Sequence, residues 1–324
     1  MPAQITAGGS QRAGLRTAVL GTYRRQYEAQ RDMLSKCMDL DFPSDSRSEY
    51  YFYWESAPHL GRWAYGGDLP FEGFRGIQFE VINHRWAKGI SWQADDEADD
   101  QTRDLINQAR GLGQSAANLD ERVFFQICNG STDSELLPTV PNAPDGSATF
   151  LAGSRFGFPD GNSNSVTGGA PTTAALARVA YFEALEAVAS FQDTKSQPLH
   201  SVSVTGGTVV CIGNPADADA VMGGFKRSEL VQGTQAGVSD EIRGDGRVVE
   251  TWINQQATAS QLLFFWAEAP VKAVFSQLRE PLSEAAATDA NSDRAREADE
   301  HYIRFKMRKG FGAALPTAAM AMTA

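Results

Sequence analysis

Between Trp63 and Gly130 the hydropathy pattern changes period once, and that change restricts the chain more than any other feature. Ile77, Phe79 and Val81 alternate with Gln78 and Glu80, and beyond Asn83-His84-Arg85 a second run carries Trp86, Ile90 and Trp92. Alternation at period two is a strand signal, and two such runs around a short polar break predict a β-hairpin. From Thr102 to Glu121, Leu105, Ile106, Ala109, Leu112, Ala116 and Leu119 recur at helical spacing, which predicts a rod of roughly 30 Å. A two-stranded ribbon is marginally stable alone, so a projecting hairpin joined to a rod implies another surface for the hairpin to lie on. Such an outline suits reaching a neighbour better than enclosing a small ligand.

At 324 residues the chain can bury a sizeable core. It has no apolar run of membrane-spanning length, and Met1 to Ser10 lacks a basic start and apolar middle, so a cytosolic origin without a membrane is expected. Cys37, Cys128 and Cys211 are far apart and form no CxxC pair, which predicts apolar fillers instead of disulfides or a zinc site. A net charge of −11 argues against a protein that grips nucleic acid, because neutralising phosphates needs a basic face. It is compatible with a wall that encloses DNA without sticking to it. The charge is uneven: Arg12, Arg16, Arg24, Arg25, Arg31 and Lys36 face only Glu28 and Asp32 in the first 36 residues, marking an arm for an acidic partner or an acidic neighbouring copy.

Within that arm, Leu15, Val19, Tyr23, Tyr27, Leu34 and Met38 give a narrow apolar stripe on a helix. Tyr50-Tyr51-Phe52-Tyr53-Trp54 follows, an aromatic run that must be buried on both faces of a strand or covered by another subunit. Residues 133–170 are rich in Gly, Pro, Ser and Asn and read as an irregular connection. A helix is predicted over 172–191, capped by Thr172 or Thr173, with Leu176, Val179, Phe182, Leu185 and Val188 on its apolar side. Gly206-Gly207 suggests a hairpin between 201–205 and 208–212, and a short helix is expected over 216–225 after Pro215. Strands are expected over 248–254, 261–268, 271–278 and 301–309, with an exposed excursion over 283–299.

Motifs that carry chemistry are few. Asp95-Asp96-Glu97-Ala98-Asp99 fits DDxxD, but no second metal-binding helix accompanies it, and carboxylates there favour the positive end of the following helix. Gly111-Leu112-Gly113-Gln114-Ser115-Ala116 has the GxGxxA spacing of a dinucleotide site but follows a polar helical stretch instead of a strand. Its glycines are expected to permit a bend or close packing against another backbone. Arg243-Gly244-Asp245 reads as an exposed loop, and His59, His84, His200 and His301 are scattered. No catalytic residue, cofactor site or metal site is predicted.

Taken in order, these features resemble the Mu-like phage major head subunit family, whose members have the HK97 capsid fold. The likeness rests on Tyr53-Trp54 with the segment around Trp63, on Val81-Ile82-Asn83-His84-Arg85-Trp86 leading to Asp95, Asp96, Asp99 and Asp100, and on Leu119 to Gly130. It continues through the helix near Leu176 and the run Val271 to Arg279. Where such heads usually show Phe-Phe and a histidine after the long helix, this chain has Phe150-Leu151 and then Ser154-Arg155-Phe156.

The resemblance implies an α+β fold of HK97 type: N-terminal arm over 1–58, extended β-hairpin loop over 59–96, and spine helix with the first part of the peripheral domain over 97–171. The axial domain would occupy 172–247 and the β-rich remainder of the peripheral domain 248–324. It implies a structural protein, the major capsid subunit of a tailed bacteriophage. Copies would assemble into hexamers and pentamers of an icosahedral virion shell around double-stranded DNA, built in the host cytoplasm with a portal and separate scaffolding or decoration proteins. With the chain starting at Met1, any scaffolding is expected from a separate protein. Subunit-contact candidates are Arg24, Arg25, Arg31, Tyr53, Trp54, Trp86, Trp92, Asp95, Asp96 and Asp99. Two alternatives stay open: an encapsulin-like compartment shell, and a metal-dependent enzyme using the cluster Asp95 to Asp99.

Overall fold

A computed structural model describes residues 7–54, 76–93, 104–152, 163–168, 172–192, 198, 207–226, 230–232, 235–238, 248–287 and 300–323. The first described element is helix α1 (Ala7–Cys37), which runs straight into strand β1 (Met38–Pro43). The arm's apolar stripe exists: Val19 and Leu34 are buried, and Tyr23 stacks on Tyr27 with ring centroids 5.4 Å apart. The stripe lies on the chain's own helix α2 (Asp104–Ala117). Close approach there depends on Gly113, where an added Cβ would come within 2.5 Å of the Val19 carbonyl oxygen. Gly113 thus serves close packing against another backbone, as the sequence suggested, while Gly111 does not. Gly113→Ala is expected to destabilise the fold by about 1 to 3 kcal/mol through overpacking. Gly111, with open space around its Cβ position, should gain about 0.5 to 1 kcal/mol on the same change. Paired denaturant titrations check both, and equal effects would contradict the packing.

The expected rod is two helical segments end to end. Helix α3 (Leu119–Asn129) follows α2 across Asn118. Hydrogen bonds from Asn118 N to Gln114 O and from Arg122 N to Asn118 O, both 3.0 Å, carry the ladder through the junction. Gln30 of α1 donates to Asn118 Oδ1 at 2.7 Å, so the arm holds the joint. Gly130, left-handed at φ 62°, ends α3, with Ser131 N donating to Gln126 O.

The hairpin predicted from the two alternating runs does not form. Strands β3 (Gly76–Ile82) and β4 (His84–Gln93) are separated only by Asn83, too short a link for the two-residue turn a tight hairpin needs. The buried Asn83 amide donates to Ser44 Oγ at 2.7 Å and to Ser46 O at 2.9 Å, fixing the point where the chain leaves one sheet for another. β3 instead pairs antiparallel with β2 (Ser48–Trp54), which is the aromatic run, in a register that sets Tyr51 opposite Phe79 and Tyr53 opposite Ile77. The aromatic strand is therefore buried on one face only: Tyr53 is inside, Tyr51 donates to Gln277 Oε1 at 2.8 Å, and Tyr50 and Phe52 point outward.

β4 pairs along its whole length with β12 (Glu300–Ala313), in a four-stranded sheet of order β1-β11-β12-β4. Strand β11 (Val274–Ala287) is longer than the sequence suggested. Ser283 to Ala287 belong to it, paired with Lys306 to Tyr302, and not to an exposed excursion; residues 288–299 lie outside the described ones.

A second sheet has the order β5-β13-β10-β6-β9, from β5 (Ser165–Thr167), β6 (Thr208–Gly213), β9 (Val248–Ile253), β10 (Gln261–Trp266) and β13 (Ala319–Thr323). A two-stranded ribbon, β7 (Leu230–Gln232) with β8 (Gln235–Val238), lies between β6 and β9 in sequence. Both sides of β6 are occupied, by β10 and β9, so it makes no hairpin with 201–205, which lie outside the described residues. β6 and β10 are continuous apolar runs because both their faces are covered. Leu263, Phe265, Val210 and Ile212 face the core shared with α3, where Phe124 and Phe125 are buried. Leu262, Phe264, Trp266, Val209 and Cys211 face a second core under helix α4 (Ala174–Ser190).

Helix α4 is capped by Thr173 as expected, but it presents a different face. Ala177, Ala180, Tyr181, Ala184 and Val188 are buried, whereas Leu176, Val179 and Phe182 are exposed by 41, 49 and 38%. Small alanines let the helix settle close to the sheet and to helix α5 (Ala218–Phe225), with Arg178 Nε donating to Gly224 O at 2.7 Å. The short helix after Pro215 is present as a single 3₁₀ turn (Pro215–Asp217) leading into α5.

Candidate assembly interface and buried ionic junction

The described residues contain no cluster of His, Cys, Asp and Glu that could hold a metal. No described helix is long and apolar enough to cross a membrane. What the fold does position is a set of outward faces around a charged junction in its interior.

The junction's charged groups and the Tyr27 hydroxyl join four elements, and a fifth, β4, holds its backbone. Lys309 of β12 is buried, and its Nζ lies 2.5 Å from Asp120 Oδ2 of α3 and 2.7 Å from Asp41 Oδ1 of β1. Tyr27 of α1 donates its hydroxyl to Asp41 Oδ2 at 2.5 Å, and Trp86 Nε1 of β4 donates to the Lys309 carbonyl at 3.0 Å. The Lys309 ammonium also lies 5.6 Å from the Tyr27 ring centroid and 5.8 Å from that of Phe311. The two carboxyls are pulled in opposite directions. Burial holds that of Asp120 above the usual range despite Lys309. At Asp41 burial also pushes upward, but Lys309 and the Tyr27 hydroxyl outweigh it and draw the carboxyl below that range. Burial and nearby Asp120 push the Tyr23 phenol up to about 12 and drive Tyr27 upward as well. Nothing in the sequence flagged this junction, because its members come from distant parts of the chain: Tyr27 and Asp41 near the start, Asp120 in the middle and Lys309 near the end.

All three cysteines are buried, as the sequence suggested, and desolvation pushes each thiol above its ordinary value. Native chain should react negligibly with a thiol reagent, and denatured chain should release three equivalents. Fast native labelling of any of the three would contradict the packing.

The predicted contact residues divide. Arg24, Arg25 and Arg31 are exposed on α1. Tyr53 is buried within its own chain, and Trp86 packs edge-on against Phe311 at 6.1 Å, so both are engaged internally. Trp54 and Trp92 sit in β2 and β4, opposite Gly76 and His301. Asp95, Asp96 and Asp99, with Arg243-Gly244-Asp245, lie outside the described residues. The outward apolar residues that sequence reasoning missed are Leu176, Val179 and Phe182 on α4, Met222 on α5 and Phe42 on β1; Phe52, within the aromatic run already singled out, is also exposed.

Residues 14–135, from α1 through α3, match the family model described as Mu-like prophage major head subunit gpT. Solved structures supply the rest. The capsid of a native GTA particle superposes with a TM-score of 0.58 at 12% identity, covering 90% of this chain and 90% of that one. This chain has the HK97-type capsid fold. The capsid of Myoviridae phage XM1 gives 0.53 at 11% identity over 90% and 91% of the two chains. A virus-like particle from Pyrococcus furiosus gives 0.52 at 10% identity over 96% and 98%. No functionally curated protein matches the chain in sequence. Within this fold, Leu176, Val179 and Phe182 on α4 and Arg24, Arg25 and Arg31 on α1 all lie exposed on the single chain.

Proposed function

We infer that this chain is the major capsid protein of a tailed bacteriophage, a structural protein without catalytic activity. The observation that carries the reading is the coincidence of a major head subunit match over residues 14–135 with a capsid fold over about nine tenths of the chain. Copies assemble into hexamers and pentamers of a closed virion shell around double-stranded DNA, formed in the host cytoplasm together with a portal and any scaffolding or decoration proteins. The acidic net charge supports a wall that holds DNA without binding it.

The proposed divisions are arm 1–58, extended loop 59–96, spine and first peripheral part 97–171, axial domain 172–247 and peripheral remainder 248–324. Ring contacts in such a shell are heterologous, so each copy carries two different, complementary faces. The exposed α1 arginines of one copy meet the acidic segment Asp95, Asp96 and Asp99 of another. Reversing charge with Arg24→Glu and Arg25→Glu should cut particle yield while leaving the circular dichroism of the chain unchanged. Unaltered particle yield would sink this pairing.

A compartment shell enclosing protein cargo, the encapsulin-like alternative, is the second reading, and the likeness to a virus-like particle from Pyrococcus furiosus fits a closed shell of either kind. The contents of purified particles separate the two: packaged double-stranded DNA supports the virion, and a protein cargo supports the compartment.

A further inference from the structure

We propose that Lys309 and Asp120 condense to an intramolecular amide, with Asp41 as the proton acceptor, so that β12 and α3 become covalently tied inside the folded chain. The arrangement contains each part that this condensation requires. The Lys309 nitrogen touches Asp120 Oδ2 at 2.5 Å and Asp41 Oδ1 at 2.7 Å, and the lysine and Asp120 are both only 3% exposed. Such confinement replaces a bimolecular encounter by a contact already made.

A buried site disfavours the ionised forms, and burial keeps the Asp120 carboxyl protonated further than usual, which makes it the electrophile. Asp41 stays the ionised partner and is oriented by the Tyr27 hydroxyl. Trp86 fixes the Lys309 backbone from behind. A cavity of about 600 Å³, lined among others by Tyr23, Asp41, Asp120 and Lys309, gives the departing water somewhere to go.

The step balances. The Lys309 ammonium passes one proton to the Asp41 carboxylate, and the neutral amine attacks Cγ of the Asp120 carboxylic acid. A C–N bond forms and the C–O bond to the acid hydroxyl breaks. That hydroxyl leaves as water with a proton from the nitrogen, and Asp41 is left protonated. No oxidant, reductant or activated donor is needed.

Intact mass measurement of the purified full-length chain in denaturant tests the proposal, and it does not depend on the capsid reading. The expected result is a chain lighter by one water. Trypsin should leave the bond after Lys309 uncut and yield residues 111–122 joined to residues 309–324. Finding this branched peptide separates the amide from a succinimide at Asp145-Gly146, Asp160-Gly161 or Asp245-Gly246, any of which also removes one water. Lys309→Arg keeps the charge and should restore the full mass. Asp41→Asn, checked for native circular dichroism, should do the same if Asp41 takes the proton. A wild-type chain at full sequence mass, cut by trypsin after Lys309, would overturn the proposal, as would a linked peptide persisting in folded Asp41→Asn for the role of Asp41.

Discussion

Lys309→Ala is expected to destabilise the folded chain by about 3 to 5 kcal/mol, the loss seen when one partner of a buried ion pair is removed. The side chain is only 3% exposed and faces Asp120 and Asp41 at 2.5 and 2.7 Å, so its removal leaves two carboxyls side by side in the interior. One of them must then take up a proton or draw in water, because the Tyr27 hydroxyl lies near both carboxyls and has a single proton to give. Where the Lys309–Asp120 amide has formed, the variant also loses a cross-link, so the measured drop should be larger. Because the junction joins α1, β1, α3 and β12, the variant should loosen the arm together with the spine. Chemical denaturation of wild type and variant checks the size of the effect. A change under about 1 kcal/mol would mean that the site relaxes or hydrates far more readily than its burial implies.

Replacing Leu176, Val179 and Phe182 by aspartate is expected to abolish particle formation and leave a folded, soluble chain. The three side chains stand on the outer face of α4 and are exposed by 41, 49 and 38%, while the residues that hold the helix to its sheet are Ala177, Tyr181, Ala184 and Val188. Polar substitutions outside the core change stability little, usually within about 0.5 kcal/mol. Three carboxylates at a subunit contact, by contrast, would have to be desolvated or repel those of the next copy. Sedimentation of the triple variant should therefore show subunits or small oligomers with native circular dichroism. Normal particles would show that this face of α4 makes no contact in the shell.

The helices were legible in the sequence because their signals are local: a stripe at Val19, Tyr23 and Leu34, a cap at Thr173, a glycine stop at Gly130. Strands β9, β10 and β12 were legible for the same reason, as apolar or alternating runs. What failed was partner choice. The alternation around Ile77 and Trp86 correctly marks two strands, but a single buried Asn83 sends them to different sheets. β1 was hidden because Met38 continues the helical stripe of α1, and β13, Ala-Met-Ala-Met-Thr, has little of the β-branched signal by which strands are recognised. Large side chains suggested the wrong inner face for α4, since close packing on a sheet selected alanine. The ionic junction was illegible from the outset, because each charged member looks like an ordinary surface residue until the fold brings them together. Of the contact candidates, the α1 arginines are exposed, while Tyr53 and Trp86 are taken up by their own chain.

Electron microscopy of the purified chain, alone and coexpressed with the proteins encoded beside it, tests the central claim most directly. The account predicts closed icosahedral shells, or rings of five and six copies where a scaffolding protein is missing. A compact monomer under both conditions would contradict it.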